Sequence, residues 1–340
     1  MKKILYVYKW ATMGGVERVL LNRALAFKEA NYNVSQDVFF LHDSGGKILL
    51  NQYIKGKDLG GYLQIVETFN PNHYDFIHVI DTPEIFEMTK NYEKIVFECH
   101  TAYTENRQYL SDLPFNIKNI IVPSDKFKED IINEIPEQLQ KKTIVLRNFV
   151  PALLVEKNVN STNVFPKIPI AYIGRIDKLK NVEEVIEIFV NLQKKVGDKF
   201  ILIIAGPITT EVDLFKIISD KCLLNRVIYL PPIAFEKVPQ LFNIIKNNNG
   251  IVISSSKGES FGLSIAEAIV NDIPILASNI HNALVDNDST FLYELNSINE
   301  ATNKIKYITE NFDICKKRLG KYKSKLTDSA FLKDWDAMYG

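Results

Sequence analysis

The sequence predicts a doubly wound α/β protein with two parallel-sheet domains, and three observations support this. Short apolar, β-branched runs alternate with amphipathic helix patterns along the chain. A polar tract after Pro151 interrupts the alternation, and an apolar strand starts afresh at residues 168–173. Residues 251–277 show the pattern most clearly, with an apolar run, a polar loop, a short helix pattern, Pro274 and a second apolar run.

Composition and charge limit the possible functions. The chain has 340 residues, enough for two domains of ordinary size. It carries 41 Lys and Arg against 41 Asp and Glu, so nucleic acid is not an expected partner and no global charge attracts anionic lipid. The 3 cysteines are far apart and suggest neither a disulfide framework nor a metal site. The first apolar run is too short for a signal peptide and no run has transmembrane length, so we expect a soluble, cytoplasmic protein.

The first domain is predicted over residues 1–150, with a hinge at about residues 148–151. A helix pattern over residues 16–27 follows its first strand. The tract of residues 42–58 is polar and contains three glycines, so it is predicted to be a long loop that is mobile or faces the acceptor. The predicted strands are residues 4–8, 33–41, 75–80, 94–99, 119–122 and 143–146.

A glycine turn follows the first strand. Residues 11–17 are ATMGGVE, between a strand and a helix, where backbone N–H groups can hold an anion. Neither the dinucleotide fingerprint G-x-G-x-x-G nor the Walker lysine motif is present, which argues against an NAD enzyme and a P-loop ATPase. The turn is therefore either a phosphate loop of another class or a tight turn without a ligand.

The second domain is predicted over residues 151–320. Its first strand is followed by Arg175, a short loop, Lys180 and a helix, whose start Asn181 and Glu184 should close as a capping box. Two cations beside a strand end and a helix start form a cradle suited to a diphosphate, and solvated charges are the alternative. The other predicted strands are residues 200–205, 227–230 and the two apolar runs of residues 251–277.

Two carboxylates in residues 251–277 are the main site candidates. Glu259 lies in the loop after the first apolar run, and Glu267 follows it in the helix. The helix start offers N–H groups to an anion at the place where open α/β sheets bind ligands. A buried unpaired carboxylate is costly, so a hydroxyl-rich ligand would explain Glu267. Alternatively, Ser264, Glu267 and Asn271 form one helical stripe that faces water.

The run GESFGLSIAEAIVNDIPILAS, together with the spacing of Arg175 and Lys180, resembles the donor-binding signatures of retaining glycosyltransferases of the GT-B fold, especially glycosyltransferase family 4. The resemblance implies two Rossmann-like domains facing each other across a cleft. It also implies that a last helix, residues 321–340, returns to the first domain. A nucleotide sugar, preferably a UDP-sugar, would be the substrate, with neither a cofactor nor a metal.

The resemblance implies roles for single residues. Glu259 would contact the transferred sugar, Glu267 would hold the nucleotide ribose, and Arg175 and Lys180 would hold the phosphates. His100, just after a strand, would approach the donor sugar from the first domain and is the second catalytic candidate. A solvated or structural histidine is the alternative for His100. The other implied donor-binding residues are Gly14, Gly15, Ser260, Phe261, Gly262 and Leu263.

The chain departs from the family pattern in two places. Pro231 and Pro232 stand where the family has a glycine in the turn that faces the nucleobase. Residues 280–285 replace a Gly-Gly-x-Pro-Glu run, so backbone contacts to phosphate cannot be assumed there.

Two further patterns are predicted to be structural. His78, inside a strand, is predicted to be a buried core histidine. Asp286-Asn287-Asp288 looks like the Asp-x-Asp metal site of another glycosyltransferase fold. It lies in a late polar loop and not after a buried strand, so it is predicted to be a turn.

The resemblance implies a metal-independent hexosyltransferase that acts in polysaccharide biosynthesis by front-face departure and attack. Its acceptor would be a cell-surface glycan, a glycolipid or another lipid-linked or protein hydroxyl, and contact with the inner face of a membrane stays open. The alternatives are an epimerase on the same fold, which would turn over without an acceptor, and a non-catalytic subunit of an active transferase. A sugar-binding receptor fits less well because no signal peptide is expected.

Overall fold

The computed structural model describes residues 1–152 and 165–340, apart from the side chain of Glu236. Most of the polar tract predicted between the domains lies outside these residues. The chain divides into two compact units, Met1–Pro151 with Asp328–Gly340, and Ala152–Thr327. None of the described helices is long and apolar enough to cross a membrane.

The first unit is built on a parallel sheet. Its described strands are β1 (Lys2–Ala11), β2 (Val34–Asp43), β3 (Leu63–Ile65), β4 (Phe76–Ile80), β5 (Ile95–Glu98), β6 (Asn119–Val122) and β7 (Thr143–Val145). They pair in the order β3-β2-β1-β4-β5-β6-β7, which confirms the predicted strands and adds the short edge strand β3. The strand order reverses between β1 and β4, a switch point of the kind where open α/β sheets bind ligands.

The predicted loop over residues 42–58 is wrong, because a helix occupies most of it. The helices of this part of the chain are α1 (Gly15–Glu29), α2 (Gly46–Gly56), α3 (Ile85–Met88), α4 (Asp125–Ile131) and α5 (Glu137–Gln140). In α2, Leu50, Tyr53 and Ile54 are buried at helical spacing. The side chain of Asp43 accepts hydrogen bonds from two backbone N–H groups at the start of α2, at 2.9 and 3.3 Å. An apolar face of only three residues is too small to dominate the polar composition of the tract.

The second unit has a parallel sheet of its own. Its described strands are β8 (Ile168–Ile173), β9 (Phe200–Ala205), β10 (Val227–Leu230), β11 (Ile251–Ser254), β12 (Ile275–Ser278) and β13 (Leu292–Tyr293). They pair in the order β10-β9-β8-β11-β12-β13, with a switch point between β8 and β11. The helices are α6 (Val182–Val196), α7 (Leu214–Asp220), α8 (Val238–Asn247), α9 (Leu263–Val270), α10 (Ile298–Glu310) and α11 (Phe312–Leu319). The strand–helix–strand prediction for residues 251–277 is confirmed, since β11 and β12 pair in parallel with α9 between them in sequence.

The last helix, α12 (Asp328–Tyr339), belongs to the first unit, as predicted. It begins later than the predicted residue 321 because Gly320–Leu326 forms a separate 3-10 helix in the second unit. The ring centroids of Trp335 and Phe27 lie 4.7 Å apart, and the two rings meet edge to face. Aromatic burial of this kind attaches α12 to α1.

We expect Trp335→Ala to lower the free energy of unfolding by about 3–5 kcal/mol, because a large buried side chain would be replaced by a cavity. The other tryptophan of the chain provides the matched control. Trp10 is 43% exposed whereas Trp335 is 2% exposed, so Trp10→Ala should cost about 0.5 kcal/mol. Urea denaturation followed by circular dichroism measures both. Equal losses in the two variants would contradict the packing described for α12.

Candidate functional site

The adjoining ends of β8 and β11 carry the predicted charges of the second unit. Lys180 follows β8 and Glu259 follows β11, and Lys180 Nζ lies 2.6 Å from Glu259 Oε1. Arg175, also after β8, has a side chain that is 50% exposed, and its Nε lies 3.3 Å from Asp177 Oδ2. The structure therefore brings Lys180 and Glu259 into contact and leaves much of the Arg175 guanidinium accessible.

Asp177, which sequence reasoning missed, holds the loop between these two cations. Its side chain is buried, and Oδ1 accepts the backbone N–H of Lys180 at 2.7 Å. The backbone carbonyl of Asp177 accepts the N–H of Asn181 at 3.0 Å. A short acidic side chain just after a strand commonly accepts hydrogen bonds from the backbone of the turn that it begins. This pattern is the signal that could have identified Asp177.

The predicted capping box at the start of α6 is wrong. Asn181 has a left-handed backbone with a φ of 56°, and its side-chain amide donates to the Glu184 carboxylate at 2.7 Å. Glu184 also accepts the backbone N–H of Asn296 at 2.8 Å. The pair therefore connects the start of α6 to the segment before α10. The hydroxyl of Ser255 donates to the carbonyl of Asn181 at 2.6 Å and joins the β11 loop to the same turn.

The carboxyl group of Glu259 is ionised at neutral pH. Burial raises its pKa, but the charge of Lys180 and the hydrogen bonds from Lys180 and Ser256 outweigh burial and hold the pKa below its ordinary value. An anionic Glu259 is a hydrogen-bond acceptor only. It therefore suits contact with hydroxyl or ammonium groups.

The predicted residues Ser260, Phe261, Gly262 and Leu263 lie at the start of α9. Gly262 has a φ of 88°, and a Cβ placed on it would lie 2.6 Å from His281 Nδ1. Both the backbone conformation and the close approach require glycine there. His281 lies in the segment that replaces the family's glycine-rich run, and its Nε2 is 2.9 Å from the hydroxyl of Ser254. Burial lowers the pKa of His281 to about 4, so its ring is neutral at neutral pH.

Glu267 is buried on α9 with 8% of its surface exposed. Asn271, on the same stripe, is also buried, and its side-chain amide donates to the backbone carbonyl of Glu267 at 2.8 Å. The alternative in which this stripe faces water is therefore wrong for Glu267 and Asn271. Burial is compatible with the ribose contact that the resemblance implies, which stays a prediction.

The glycine turn of the first unit is occupied by the protein's own carboxylate. Glu17 is buried and accepts the backbone N–H groups of Thr12 at 2.6 Å, Met13 at 3.0 Å and Gly14 at 2.8 Å. These three groups are thus committed to Glu17. A donor contact at Gly14 and Gly15 stays a prediction, in which the N–H of Gly14 is already bound by Glu17. Glu17 was missed, although a glutamate in the first turn after Gly-Gly is a recognisable capping signal.

His100 follows β5, and its side chain is 6% exposed. Its Nε2 lies 2.8 Å from Glu98 Oε2, and its backbone N–H donates to Asp81 Oδ1 at 3.0 Å. The solvated alternative for His100 is therefore wrong. His78 is fully buried with its ring bonded to Glu98, so the predicted core histidine is confirmed. Sequence reasoning missed Glu98 and Asp81, because most of their partners lie in distant segments of the sequence.

Asp286-Asn287-Asp288 is a turn, as predicted. Asp286 and Asn287 have left-handed φ values of 49° and 58°. The carboxylate of Asp288 is bound by Arg318 at 2.6 and 2.8 Å and by the hydroxyl of Tyr322 at 2.8 Å. Asp288 therefore has a structural role, because it connects this turn to α11 and to the residues just after it.

Two Rossmann-like parallel sheets, with a last helix that belongs to the first, define the GT-B fold. The structure is similar to that of HepE from Anabaena, solved with UDP and glucose, with a TM-score of 0.79, 16% identity and coverage of 99% of both chains. The model of the family "Glycosyl transferases group 1" matches residues 156–325. The chain therefore belongs to that family.

Two curated relatives are similar over part of their own length. An uncharacterized glycosyltransferase of Methanocaldococcus jannaschii is 29% identical over 153 residues, which cover 44% of this chain and 38% of the relative. A poly(ribitol-phosphate) alpha-N-acetylglucosaminyltransferase of Staphylococcus aureus is 24% identical over 311 residues, which cover 87% of this chain and 55% of the relative. The chain thus spans well under two thirds of either relative.

The buried His281 predicts a loss of stability in acid. Its pKa is about 4 in the folded protein against an ordinary value of 6.5, so the unfolded chain takes up the proton first. This contribution is complete above pH 6.5 and is lost as the pH falls from 6.5 towards 4. The free energy of unfolding is therefore expected to be about 2 kcal/mol lower at about pH 5 than at about pH 7.5 because of this one residue.

Denaturant titrations at these two pH values test this expectation. His281→Gln should reduce the pH dependence of the unfolding free energy by about 2 kcal/mol. Ser254→Ala, which removes the hydroxyl beside the ring and keeps the imidazole, should retain most of it. Identical pH dependence in wild type and His281→Gln would contradict the neutral buried ring.

Proposed function

We propose that the protein is a retaining, metal-independent hexosyltransferase that moves a sugar from a nucleotide sugar, preferably a UDP-sugar, to a hydroxyl acceptor in polysaccharide or glycolipid synthesis. The observation that carries this proposal is the contact of Lys180 with Glu259 at the adjoining ends of β8 and β11, just before α9. Sugar transfer from a diphosphate needs cations for the leaving group and an anionic acceptor for sugar hydroxyls. This edge of the sheet carries both.

The similar proteins support the choice of substrate. The structure of HepE contains UDP and glucose, and the name of the Staphylococcus aureus relative specifies the transfer of N-acetylglucosamine to poly(ribitol phosphate). The first supports UDP as the nucleotide of the donor, and the second supports transfer of a hexose derivative to a hydroxyl-bearing polymer.

In the proposed mechanism Lys180 leaves Glu259 and binds the diphosphate of the donor. The bound phosphates are held by Lys180, the accessible Arg175 and the N–H groups at the start of α9. These groups compensate the charge that develops on the leaving diphosphate, which removes the need for a metal. Glu259, no longer bound by the lysine, then accepts hydrogen bonds from the sugar as it moves away from the phosphate.

The buried Glu267 holds the ribose in this proposal, and no carboxylate is assigned as a nucleophile. Departure of the diphosphate and attack by the acceptor take place on the same face of the sugar, so that the anomeric configuration is retained. Acceptor recognition is assigned to the first unit, and His100 contacts the donor sugar from that unit.

A panel of nucleotide sugars, scored by thermal shift with and without a chelator, tests the donor assignment. A UDP-sugar at about 100 times its Kd should stabilise the protein by about 2.7 kcal/mol, and the chelator should not change this. The same mixtures, analysed for products, distinguish transfer from epimerisation, which needs no acceptor. The proposed donor class is excluded if UDP, GDP and ADP sugars all leave the unfolding midpoint unchanged.

Arg175→Ala and Lys180→Ala should each weaken UDP binding roughly tenfold or more, because charge-assisted hydrogen bonds contribute about 1.5–3 kcal/mol each. Lys178→Ala is the matched control, since Lys178 is an exposed lysine of the same loop and has no assigned role. Titration calorimetry with UDP measures all three variants. A double variant of Arg175 and Lys180 that binds UDP as tightly as wild type would refute the diphosphate cradle.

Glu→Gln substitutions separate the roles of the two glutamates. Glu267→Gln should weaken UDP binding, because the ribose contact is present in both ground and transition states. Glu259→Gln removes the anion that competes for Lys180, so UDP should bind at least as tightly as in wild type while single-turnover transfer becomes slow. Unchanged UDP affinity in Glu267→Gln would remove that residue from the ribose site, and unchanged transfer in Glu259→Gln would remove Glu259 from the reaction.

A further inference from the structure

A buried polar network surrounds Glu98 at the end of β5. Glu98 is fully buried, and each of its carboxylate oxygens accepts a hydrogen bond from Arg23 of α1 at 2.9 Å. Oε2 also lies 2.8 Å from His100 Nε2, and Oε1 contacts His78 Nδ1. The second ring nitrogen of His78, Nε2, contacts the hydroxyl of Tyr339 in α12.

The position of the protons follows from the charge of Glu98. Burial raises the pKa of this carboxyl group, but the charge of Arg23 and the hydrogen bonds of the two histidines hold it well below the usual range. A carboxylate is an acceptor only, so both histidines must donate to it. His78 therefore carries its proton on Nδ1, and His100 carries a proton on Nε2.

The contact of His78 with Tyr339 agrees with this assignment. Burial lowers the pKa of His78, so its ring is neutral and its Nε2 is an acceptor. Burial raises the pKa of Tyr339, so its hydroxyl keeps its proton and donates it to His78. Each nitrogen of His78 and each oxygen of Glu98 then has a partner of the correct kind.

His100 differs from His78 in the hydrogen bonding of its second ring nitrogen, Nδ1. The described residues provide no hydrogen bond to its Nδ1. Its main chain is fixed by Asp81, whose Oδ1 accepts the backbone N–H groups of His100 at 3.0 Å and Thr101 at 3.4 Å. A histidine ring that carries its single proton on Nε2 has a hydrogen-bond acceptor at Nδ1.

We propose that Glu98 is a positioning residue that holds His100 as the Nε2–H tautomer and presents Nδ1 as an acceptor to a hydroxyl group of the substrate. An acceptor nitrogen binds a hydroxyl, but it has nothing to donate to a phosphate oxygen. His100 is thus suited to the sugar and not to the diphosphate. Only the identity of that hydroxyl as one of the donor sugar rests on the proposed function; the tautomer does not.

Nuclear magnetic resonance of the protein labelled with nitrogen-15 at histidine reports the tautomer without any substrate. The His100 signals are assigned by their loss in His100→Asn, and His73→Asn, at an exposed position of the same unit, is the control that should leave them unchanged. We expect the Nε2–H tautomer in the wild type. An Nδ1–H tautomer would overturn the proposal, whatever reaction the protein catalyses.

Paired amide substitutions test which nitrogen meets the substrate. The side-chain oxygen of Asn reaches the position of Nδ1, whereas the amide of Gln reaches that of Nε2. His100→Asn should therefore transfer sugar at least tenfold faster than His100→Ala and His100→Gln, with UDP affinity close to wild type in all three. Equal or faster transfer by His100→Gln would overturn the assignment of Nδ1.

Glu98→Gln tests the positioning role directly. The Gln amide can donate as well as accept, so the Nε2–H tautomer should lose its dominance in the histidine spectrum and kcat should fall with little change in KM for the donor. An unchanged tautomer in a folded Glu98→Gln variant would overturn the role of Glu98. Because this variant leaves Arg23 buried without its anion and is at risk of unfolding, the wild-type tautomer and the Asn–Gln comparison decide the proposal independently.

Discussion

All strands of a parallel sheet end at the same edge, and this constraint decides where the candidate residues lie. In the second unit, β8 and β11 are neighbours in the sheet although three crossovers separate them in the chain, so Lys180 and Glu259 are in contact across 79 positions of sequence. In the first unit the same geometry brings the glycine turn after β1 to the edge where His100 follows β5. Charged side chains lie at this edge because the strands end there and the backbone N–H groups of the following turns need hydrogen-bond acceptors.

The buried carboxylates at these edges differ in how fully the protein satisfies them. Glu17 accepts three backbone N–H groups, and Glu98 accepts Arg23 and two histidines. A buried anion with partners on all sides stabilises a conformation and has little capacity left for a ligand. The main partner of Glu259 is instead Lys180, a long side chain that a phosphate can attract away. This difference favours Glu259 as the carboxylate that meets the substrate, and Glu17 and Glu98 as groups that stabilise the structure of the first unit.

The sequence was sufficient for the fold and for the elements that carry the candidate residues of the second unit, because both depend on local patterns. Apolar runs and breakers marked every long strand, and the spacing from Glu259 to Glu267 placed one carboxylate in a loop and the other on a helix.

What could not be predicted depends on contacts between distant segments. The roles of Glu98 and Asp177 follow from partners that lie on other elements or on the far side of a turn, and Asn181 has a left-handed backbone that its sequence signal, a capping box, did not indicate. The helix α2 was missed because its buried face is small and because Asp43, whose side chain binds the N–H groups at its start, is the last residue of the preceding strand.

The contact of Lys180 with Glu259 also bears on how a donor would be distinguished from its product. A bare nucleoside diphosphate that attracts Lys180 leaves a largely buried Glu259 without its cation, and this desolvated charge opposes binding. A nucleotide sugar brings hydroxyl groups that can replace the lysine as partners of Glu259, so the complete donor removes the penalty that the diphosphate alone incurs. The ion pair of the unliganded protein would then favour the complete donor over the leaving product. That preference needs no additional residue. It follows from one carboxylate and one lysine, which pair with each other until the diphosphate binds the lysine and the sugar hydroxyl groups bind the carboxylate.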